Sequence, residues 1–540
     1  MLNRIFPLVA LILLLSGCAV GPNYRPPDVS VPEEFDTGPA LLPTVVALAP
    51  PTTAAATTQP TTPSTHPVAA ATQAATRAAA KPVDLEHWWT SLDDPLLDEL
   101  VAGAVEANFD LGIAAERLQQ ARAVLTGITG NELPLMDITA GLGRGSGSNN
   151  TKGRVGAPLN AGTNTAGLKE ITHVAGFDAG WELDLFGSVS RAVEAARADV
   201  QAVEEDRKQV LVSVLADVSR QYVGLRSLQL RLRIAEDNVA ALRRTVDLVR
   251  VRFDRGIGNE LDVVLAERQL SAALARVAPL DSAIRDAERR IAVLTGRRPE
   301  ELYSELDRPA RIPAMAADVN VGVPLQLLRR RPDVRRAERQ LAAATARIGA
   351  ATANLFPQVA LTAGLGFQGQ GLGRNPVTNA LIWSVGPAIR WPLLDFGRVD
   401  ALIQVQDFRT RELLLNYRRT VLVAVEEVEN ALDAYASQRN RLQQLTVAVA
   451  SSQQAVNLAT QRYNLGLTDF LNVLDAQRQL YELQDQLAVS QEAVTTQLLA
   501  LYKSLGGGWE GFAAPAPPPP PRPAVIAAVG EVVGGDRGRP

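Results

Sequence analysis

The sequence predicts a mixed α and β protein whose two halves repeat one architecture. Three observations support this prediction: an internal repeat, long proline-free stretches with coiled-coil spacing, and two pairs of strand-like segments. In the repeat, residues 252–256 (RFDRG) return 210 positions later as residues 462–466 (RYNLG). Earlier in the chain the spacing is 223 positions, as between Asp110 and Asp333. A repeat of this kind indicates an internally symmetric molecule.

The N-terminus is typical of a secretory signal. Arg4 precedes an apolar run, residues 8–15, that is too short to span a bilayer and is followed by Cys18, the single cysteine of the chain. A small residue before the cysteine resembles a bacterial lipoprotein signal, which implies that the mature chain begins at Cys18 and carries lipid there. Ala19, where an inner-membrane lipoprotein would have Asp, favours delivery to the outer membrane. The alternative is an incidental buried cysteine.

Composition divides the rest of the chain. The Ala/Thr/Pro-rich stretch cannot bury a core and is expected to be a disordered tether, as is the Gly/Pro-rich tail. The expected segments are a signal peptide (1–17), a lipidated segment (18–38), the tether (39–82), a first repeat (83–295), an equatorial connection (296–331), a second repeat (332–505) and the tail (506–540).

Long helices follow from the absence of proline between Pro158 and Pro279 and between Pro392 and Pro515. From Val218 to Phe253, apolar residues alternate in steps of three and four, which is the seam of a coiled coil. A helix through this region would be on the order of 100 Å long. Glycines interrupt each long helix, so that each copy ends in a helical hairpin, at 190–295 and 398–505. The predicted helices are Pro95–Gly127, Ser190–Arg255, Leu261–Leu294, Pro332–Ala353, Val399–Tyr463 and Leu471–Leu505.

Two β-hairpins are predicted, at 134–185 and 357–393, one in each copy. Apolar residues alternate with polar or small ones, as Ile138 does with Asp137 and Thr139. Strands of about ten residues cross a bilayer when tilted, but a half-buried sheet in a soluble protein gives the same alternation. If the strands lie in a membrane, four of them cannot close a barrel, and an open edge cannot sit in lipid. Several protomers must then share one barrel.

A set of motifs is spread over residues 85 to 509: Trp88-Trp89, Asp93-Asp94-Pro95, Arg331-Pro332-Asp333-Val334, the strand ends Trp181/Phe186-Gly187 and Trp391/Phe396-Gly397, the two repeated turns, and Gly506-Gly507-Gly508-Trp509. In kind and in order along the chain, they resemble the motifs of the TolC-type outer-membrane efflux proteins. The lipoprotein branch of that family, which works with resistance-nodulation-division pumps, fits best. The resemblance implies a mixed α and β membrane protein, a homotrimer in which four strands per protomer build a twelve-stranded outer-membrane barrel, continued by a periplasmic α-helical coiled-coil tunnel. It also implies an adaptor protein, an inner-membrane pump, contact with outer-membrane lipid and no cofactor.

The resemblance implies a periplasmic gate near the helical turns, where hydrogen bonds and salt links hold an iris shut. A carboxylate repeated around a narrow aperture would favour cations. Each gate residue also has an ordinary interpretation as a solvated or seam residue. The implied gate residues are Arg462 and Tyr463 in the lock, Leu471 in an apolar ring, Asp475 in an acidic ring, and Asp247 and Asp254 as alternative partners of Arg462.

The turns between the long helices are the implied docking site for the adaptor. They contain Gly256 and Gly258 in the first copy, and Gly466 and Leu467 in the second. Glycine permits the positive φ that a tight helix reversal needs, so the turn geometry alone would also explain these residues.

Other classes of function have less support. His66, His87 and His173 share no ligand spacing or carboxylate partner, and no nucleophile motif or phosphate loop occurs, so the sequence predicts no enzyme. The net charge of -4 and the absence of a basic stripe argue against nucleic-acid binding. Two alternatives remain open: a channel for type I protein secretion, and a lipid-anchored periplasmic coiled-coil scaffold.

Overall fold

The computed structural model describes residues 19–28, 85–144, 171–308, 310–313, 329–370, 381–512 and 515–516. Cys18, the signal peptide, the tether and most of the tail lie outside these residues. The strands are β1 (Leu135–Arg144), β2 (Ile171–Leu183), β3 (Gln358–Gln370) and β4 (Leu381–Arg390). The helices are α1 (Pro95–Ala107), α2 (Phe109–Thr129), α3 (Ser188–Asp254), α4 (Glu260–Leu274), α5 (Val277–Leu294), α6 (Pro299–Leu306), α7 (Pro332–Ala353), α8 (Arg398–Asn464) and α9 (Phe470–Ser504).

The four strands form one antiparallel sheet in the order β1-β2-β3-β4. Each repeat contributes two neighbouring strands, and β2 pairs with β3 where the repeats meet. Consequently β1 and β4 are the two edges of the sheet. The expected mixture of long helices with a four-stranded sheet is therefore present.

The sequence repeat is also a structural repeat. Helices α3 and α8 are both 67 residues long and begin and end 210 positions apart. Each follows a glycine in the left-handed region, Gly187 at φ 81° and Gly397 at φ 83°. Just before these helices, the indole N–H of Trp181 donates to the Glu132 carbonyl, and that of Trp391 donates to the Leu355 carbonyl. The two copies therefore share local contacts as well as length.

Two of the predicted helices are broken in the structure. The helix expected over Pro95–Gly127 is interrupted at Asn108, whose side chain accepts from the Leu111 N–H and donates to the Leu294 carbonyl. The helix expected over Leu261–Leu294 is interrupted at residues 275–276. Pro279 explains the second break, because a proline ring clashes with the carbonyl four residues earlier.

The helices beside the sheet form a row. Helix α3 packs against α2 on one side and α7 on the other, and α7 packs against α8. The order α2-α3-α7-α8 thus follows the order of the strands to which these helices connect. Farther from the sheet, α9 packs on α8 and α3, while α4 and α5 pack on α3.

The main core lies where α1, α3, α9 and the Trp88-Trp89 turn meet. We expected the disordered tail to begin at Gly506, but residues 506–512 pack against this core. The Trp509 ring lies 4.7 Å from the Lys208 ammonium on α3 and 5.3 Å from the Arg335 guanidinium on α7. Phe512 stacks on Trp89. Buried aromatic side chains contribute a large apolar area to a core, so Trp509 and Phe512 order this segment although the chain that follows is rich in proline.

Candidate channel, gate and anchor sites

The sheet has one apolar and one polar face. Successive residues of a strand point to opposite faces, so neighbouring cross-strand rows show the difference directly. One row is Ile138, Phe177, Leu365 and Trp383; the next is Asp137, Asp178, Gly364 and Ser384. Trp383 is 72% exposed in the single chain, and the other three members of the apolar row are also exposed.

A broad apolar face opposite a polar, glycine-rich face is the pattern of a lipid-facing strand set that lines a wet lumen. The indoles of Trp181 and Trp391 lie at the helical end of the sheet, each hydrogen-bonded to a backbone carbonyl of the preceding connection. Tryptophan is enriched at membrane–water interfaces, where its ring faces lipid and its N–H finds a polar partner. Within the described chain, no helix is long and apolar enough to cross a membrane.

The segment that follows Cys18 is docked on the protein, although its composition gave no sign of this. The Val20 N–H donates to the Phe186 carbonyl at 3.2 Å. The Arg191 guanidinium, nearly buried at the start of α3, donates to the Val20 carbonyl and to the Asn23 side chain. The Tyr24 hydroxyl donates to the Glu338 carboxylate on α7. Residues 19–24 therefore join the first repeat to the second.

Glycines make this docking possible. A Cβ at Gly21 would lie 2.4 Å from Cα of Gly349, and a Cβ at Gly187 would lie 2.7 Å from Cα of Ala19. Ala19 thus sits against the junction between β2 and α3, at the end of the apolar sheet face. Cys18, the candidate lipid attachment point, is the preceding residue in the chain and lies outside the described residues.

The two turns at the far end of the long helices have one geometry. Gly256 and Gly466 both have φ 71°. In the first turn the Ile257 N–H donates to the Arg252 carbonyl, and in the second the Leu467 N–H donates to the Arg462 carbonyl. A side chain at Gly258 would meet the Phe253 nitrogen at 2.8 Å, so this glycine is required by close packing. Leu467 is exposed at the tip.

Tyr463 is buried and belongs to a small core at these tips. Its ring lies 5.4 Å from the Phe470 ring, and the Arg252 guanidinium of α3 lies 4.8 Å from its centroid. Burial raises the pKa of the Tyr463 hydroxyl, and Arg252 opposes that shift. The sequence prediction did not include Arg252. The repeat could have identified it, because Arg252 is the equivalent of Arg462.

The other expected lock residues are exposed and apart in the single chain. Arg462, Asp247 and Asp254 are all exposed, and the structure shows no ion pair between Arg462 and either aspartate among the described residues. Leu471 is exposed near the tip. Asp475 lies one turn farther along α9, where it accepts from Arg478 at 2.7 Å. These side chains lie on the surface of the single chain.

Asp262 is a tip residue that sequence reasoning missed. Burial raises its pKa, the nearby Asp469 raises it further, and Arg252 partly offsets both. A carboxylate held against another carboxylate beside a cation is sensitive to any movement of the helices that carry them. Only the three-dimensional contact between the two turns brings these residues together.

Comparison with known proteins identifies the family. The family model described as outer membrane efflux protein matches residues 100–297 and 323–507. Nodulation protein T of Rhizobium leguminosarum bv. trifolii is 32% identical over 502 residues, which cover 92% of this chain and 96% of that protein. The toluene efflux pump outer membrane protein TtgC of Pseudomonas putida is 28% identical over 510 residues, covering 94% and 96%. The solved structure of the outer-membrane channel OprN is similar with a TM-score of 0.74 and 34% identity, covering 91% of this chain and 100% of that one.

The chain therefore belongs to the outer membrane efflux protein family. It is an outer-membrane efflux protein with the fold of the TolC-type channels, in which a helical tunnel extends into the periplasm. The resemblance, the location and the efflux function predicted from the sequence are confirmed.

Proposed function

We propose that this protein is the channel of a tripartite efflux system. It would conduct small molecules passively from an adaptor and an inner-membrane pump of the resistance-nodulation-division type to the outside. The observation that carries the proposal is the two-faced sheet, whose apolar rows face outward from a polar lining and whose edge strands are both unpaired within the described chain. An open edge is not stable in lipid.

Closure by further copies solves the edge problem. Because β1 and α2 lie on one side and β4 and α8 on the other, each copy can join the next through strands and helices together. The contact is head-to-tail, so it closes a ring when the rotation fits. Three copies would give a twelve-stranded barrel above a tunnel of twelve helices, with the two repeats alternating around the wall.

The lipidated N-terminus would strengthen the membrane attachment. A Cys18 acyl chain would enter the bilayer beside the apolar face, because residues 19–24 hold the segment at the end of the sheet. Buried acyl chains contribute about 0.8 kcal/mol per methylene. Lipid and barrel would then anchor the same level of the molecule.

The repeat also suggests how the tip is locked. Within a single chain, the Arg252 guanidinium of the first repeat lies over the Tyr463 ring of the second repeat. The symmetry-related contact is Arg462 of one protomer over Phe253 of the next. Such a contact brings Arg462 beside Asp254, the residue that follows Phe253, and therefore favours Asp254 over Asp247 as its partner.

The tips offer a docking surface for the adaptor. Ile257, Leu261, Leu465, Leu467 and Leu471 are all exposed at the two turns. A cluster of exposed leucine and isoleucine at the end of a coiled coil fits the apolar core of a protein–protein contact. In the ring, three pairs of tips would present this surface around the aperture, with Asp475 just inside.

Two other interpretations are less well supported. A channel for type I protein secretion would use the same barrel and tunnel, but the N-terminal lipid signal and the efflux relatives favour small-molecule export. A lipid-anchored scaffold would leave the two-faced sheet without a role. A channel of this kind has no need of a catalytic site, and we propose none.

Single-channel recording of the detergent-purified oligomer in planar bilayers tests the proposal. We expect small, cation-selective steps from the wild-type protein and larger ones from Arg462→Ala. Asp475→Asn should reduce cation selectivity. A correctly sized oligomer that stays silent both as wild type and as Arg462→Ala would contradict the channel function.

A further inference from the structure

A cavity of about 480 Å³ lies between the start of α1, the middle of α3 and the chain around the end of α6. Small-molecule sites in proteins typically enclose about 300–1,000 Å³, so the cavity has the size of a site for a small ligand. The function proposed above makes no use of it. The polar side chains that line the cavity are Asp94, Glu99, Tyr222, Arg226, Glu305 and Arg308.

Arg226 is a buried cation without a counter-charge. It is 1% exposed. Its Nη1 donates to the Gln229 side chain at 2.7 Å and to the carbonyls of Leu306 and Arg308 at 2.9 and 2.8 Å, all of them neutral acceptors. Its Nε has no hydrogen-bond partner within the described chain, which also shows no ion pair between Arg226 and a carboxylate. A buried charge that lacks an opposite charge is costly, so this position favours an anion.

A second buried arginine of the same chain shows how such a charge is usually compensated. Arg331, next to the start of α7, is 5% exposed. Its guanidinium forms ion pairs with Asp333 at 2.7 Å and with Glu427 at 2.6 Å. Two carboxylates therefore compensate Arg331, whereas the described chain supplies none to Arg226.

Asp94 lines the cavity, but both of its carboxylate oxygens are already in use. Its Oδ1 accepts from the N–H groups of Leu96 and Leu97, and its Oδ2 accepts from the Tyr222 hydroxyl at 2.7 Å. Burial raises the pKa of the Tyr222 hydroxyl to about 12, so this group stays protonated and remains a donor. Asp94 therefore caps α1 and positions Tyr222, and it leaves Arg226 without a partner.

The cavity also contains an acidic group with unused hydrogen-bonding capacity. The Glu305 Oε2 atom is buried and accepts no hydrogen bond within the described chain. The Arg297 guanidinium is 3.9 Å from it, beyond hydrogen-bond distance. Glu99 and Arg308 line the cavity and are exposed, so they lie at its opening. The cavity thus presents both signs of charge, inside and at the opening.

We propose that this cavity binds a small zwitterion of the amino-acid or dipeptide class. The ligand carboxylate would accept from Arg226 and Arg308, and the ligand ammonium would donate to Glu305 and Glu99. A simple anion would satisfy Arg226 but place a second negative charge beside Glu305, and a simple cation would do the reverse. A ligand that carries both groups compensates both side chains.

Binding at this position would connect parts of the chain that are far apart in sequence. Arg226 lies on α3, whereas Glu305 and Arg308 lie at the end of α6 and just beyond it. A ligand that binds the folded protein alone raises its stability by mass action. We therefore expect the ligand to slow hydrogen exchange in α6 and in the adjoining part of α3. The site lies apart from the sheet and from the tips, so ligand binding does not depend on channel function.

Isothermal titration calorimetry of the detergent-purified full-length protein with glycylglycine tests the proposal. We expect saturable binding to wild type. N-acetylglycylglycine lacks the ammonium, and glycylglycinamide lacks the carboxylate. Each should bind at least about tenfold more weakly than glycylglycine, because each loses charge-assisted hydrogen bonds.

Two variants and a matched control locate the binding. Arg308→Gln and Glu305→Gln each remove one charge from the cavity and should weaken glycylglycine binding by about tenfold or more. Arg298→Gln is the control, because Arg298 is exposed at the start of α6 and does not line the cavity. It should bind glycylglycine as wild type does.

Three results would overturn the proposal. The first is the absence of saturable glycylglycine binding to wild type. The second is binding that neither Arg308→Gln nor Glu305→Gln weakens, since the ligand would then lie elsewhere. The third is equal binding of glycylglycine and its two blocked forms, which would contradict recognition of a zwitterion.

Discussion

At the residue scale, the contact between Arg252 and Tyr463 is the most informative feature of the tips. It shows that the arginine at this position of one repeat packs on the aromatic residue of the other repeat in the same chain. Cation–π contacts are worth roughly 0.5–1 kcal/mol at exposed sites and more when desolvated. In the proposed ring, the same contact would place Arg462 at the boundary between protomers.

This geometry distinguishes the two candidate partners of Arg462. We predict that Asp254→Asn opens the channel more often than Asp247→Asn does. An exposed ion pair contributes about 0.5 kcal/mol, so three copies amount to about 1.5 kcal/mol, or roughly tenfold in the open population. Bilayer recordings of the two variants measure the effect. Equal effects, or a larger effect at Asp247, would show that the symmetry argument does not hold at the gate.

Asp262 makes the stability of the tips depend on pH. Because burial and Asp469 raise its pKa in the folded protein, ionised Asp262 is destabilising at neutral pH. The penalty is absent below the ordinary aspartate value near about 3.9 and grows as pH rises through the raised folded pKa. We therefore expect Asp262→Asn to be more stable than wild type at pH 7, with the difference shrinking as the solution is acidified.

Hydrogen exchange at the tips, measured at several pH values, reports this difference. Glu260→Gln is the control, because Glu260 lies in the first turn of the same helix, α4, and is exposed. A constant difference between Asp262→Asn and wild type across the acidic range would contradict the role assigned to the carboxylate.

At the scale of elements, the two glycine turns fix the length of the helical hairpins. Gly466 has φ 71°, and a Cβ there would meet nothing within 4 Å. The cost of Gly466→Ala is therefore a backbone cost, about 1–2 kcal/mol for a left-handed residue. We predict faster hydrogen exchange in the second turn for this variant and, similarly, in the first turn for Gly256→Ala.

Gly103→Ala is the matched control, since Gly103 lies within α1 and a Cβ there also meets nothing within 4 Å. Helical glycine costs about 0.5–1 kcal/mol relative to alanine, so this variant should be slightly more stable than wild type. If Gly466→Ala behaved like Gly103→Ala, the turn would not depend on its positive φ.

The long helices were predictable from sequence because their signals are local. Heptad spacing and the absence of proline predict both ends of α3, α8 and α9 to within two residues of the observed ends. The breaks at Asn108 and residues 275–276 were missed: an asparagine can cap a helix or sit within one, and Pro279 acts on a carbonyl one turn away. The docking of residues 19–24 depends on glycines far apart in the chain, which no local pattern reveals.

The candidate site shows the same division. The repeated turns and their glycines are visible in the sequence, as is the alternation that gives the sheet two faces. Arg252 and Asp262 act through contacts between the two repeats of the chain. Their importance is therefore visible only in the three-dimensional packing of the helices. The packing of residues 506–512 was hidden by the proline-rich composition of the chain that follows.

At the scale of the whole molecule, the two repeats of the chain share one architecture, but each repeat packs against the other on one side only. The internal seam between α3 and α7 is held by alanine packing and ion pairs. The outer faces of α2 and α8, and the strands β1 and β4, have no such cover in a single copy of the described chain. In a ring of protomers, each protomer would pair the edge strands of its neighbours and cover the exposed faces of their helices.

Native mass spectrometry of the detergent-purified, lipidated protein tests this central claim most directly. The account predicts a particle of three copies that survives removal of the detergent, because the barrel and the helix seams close together. A monomer or a dimer as the stable species would contradict the shared barrel, and with it the channel.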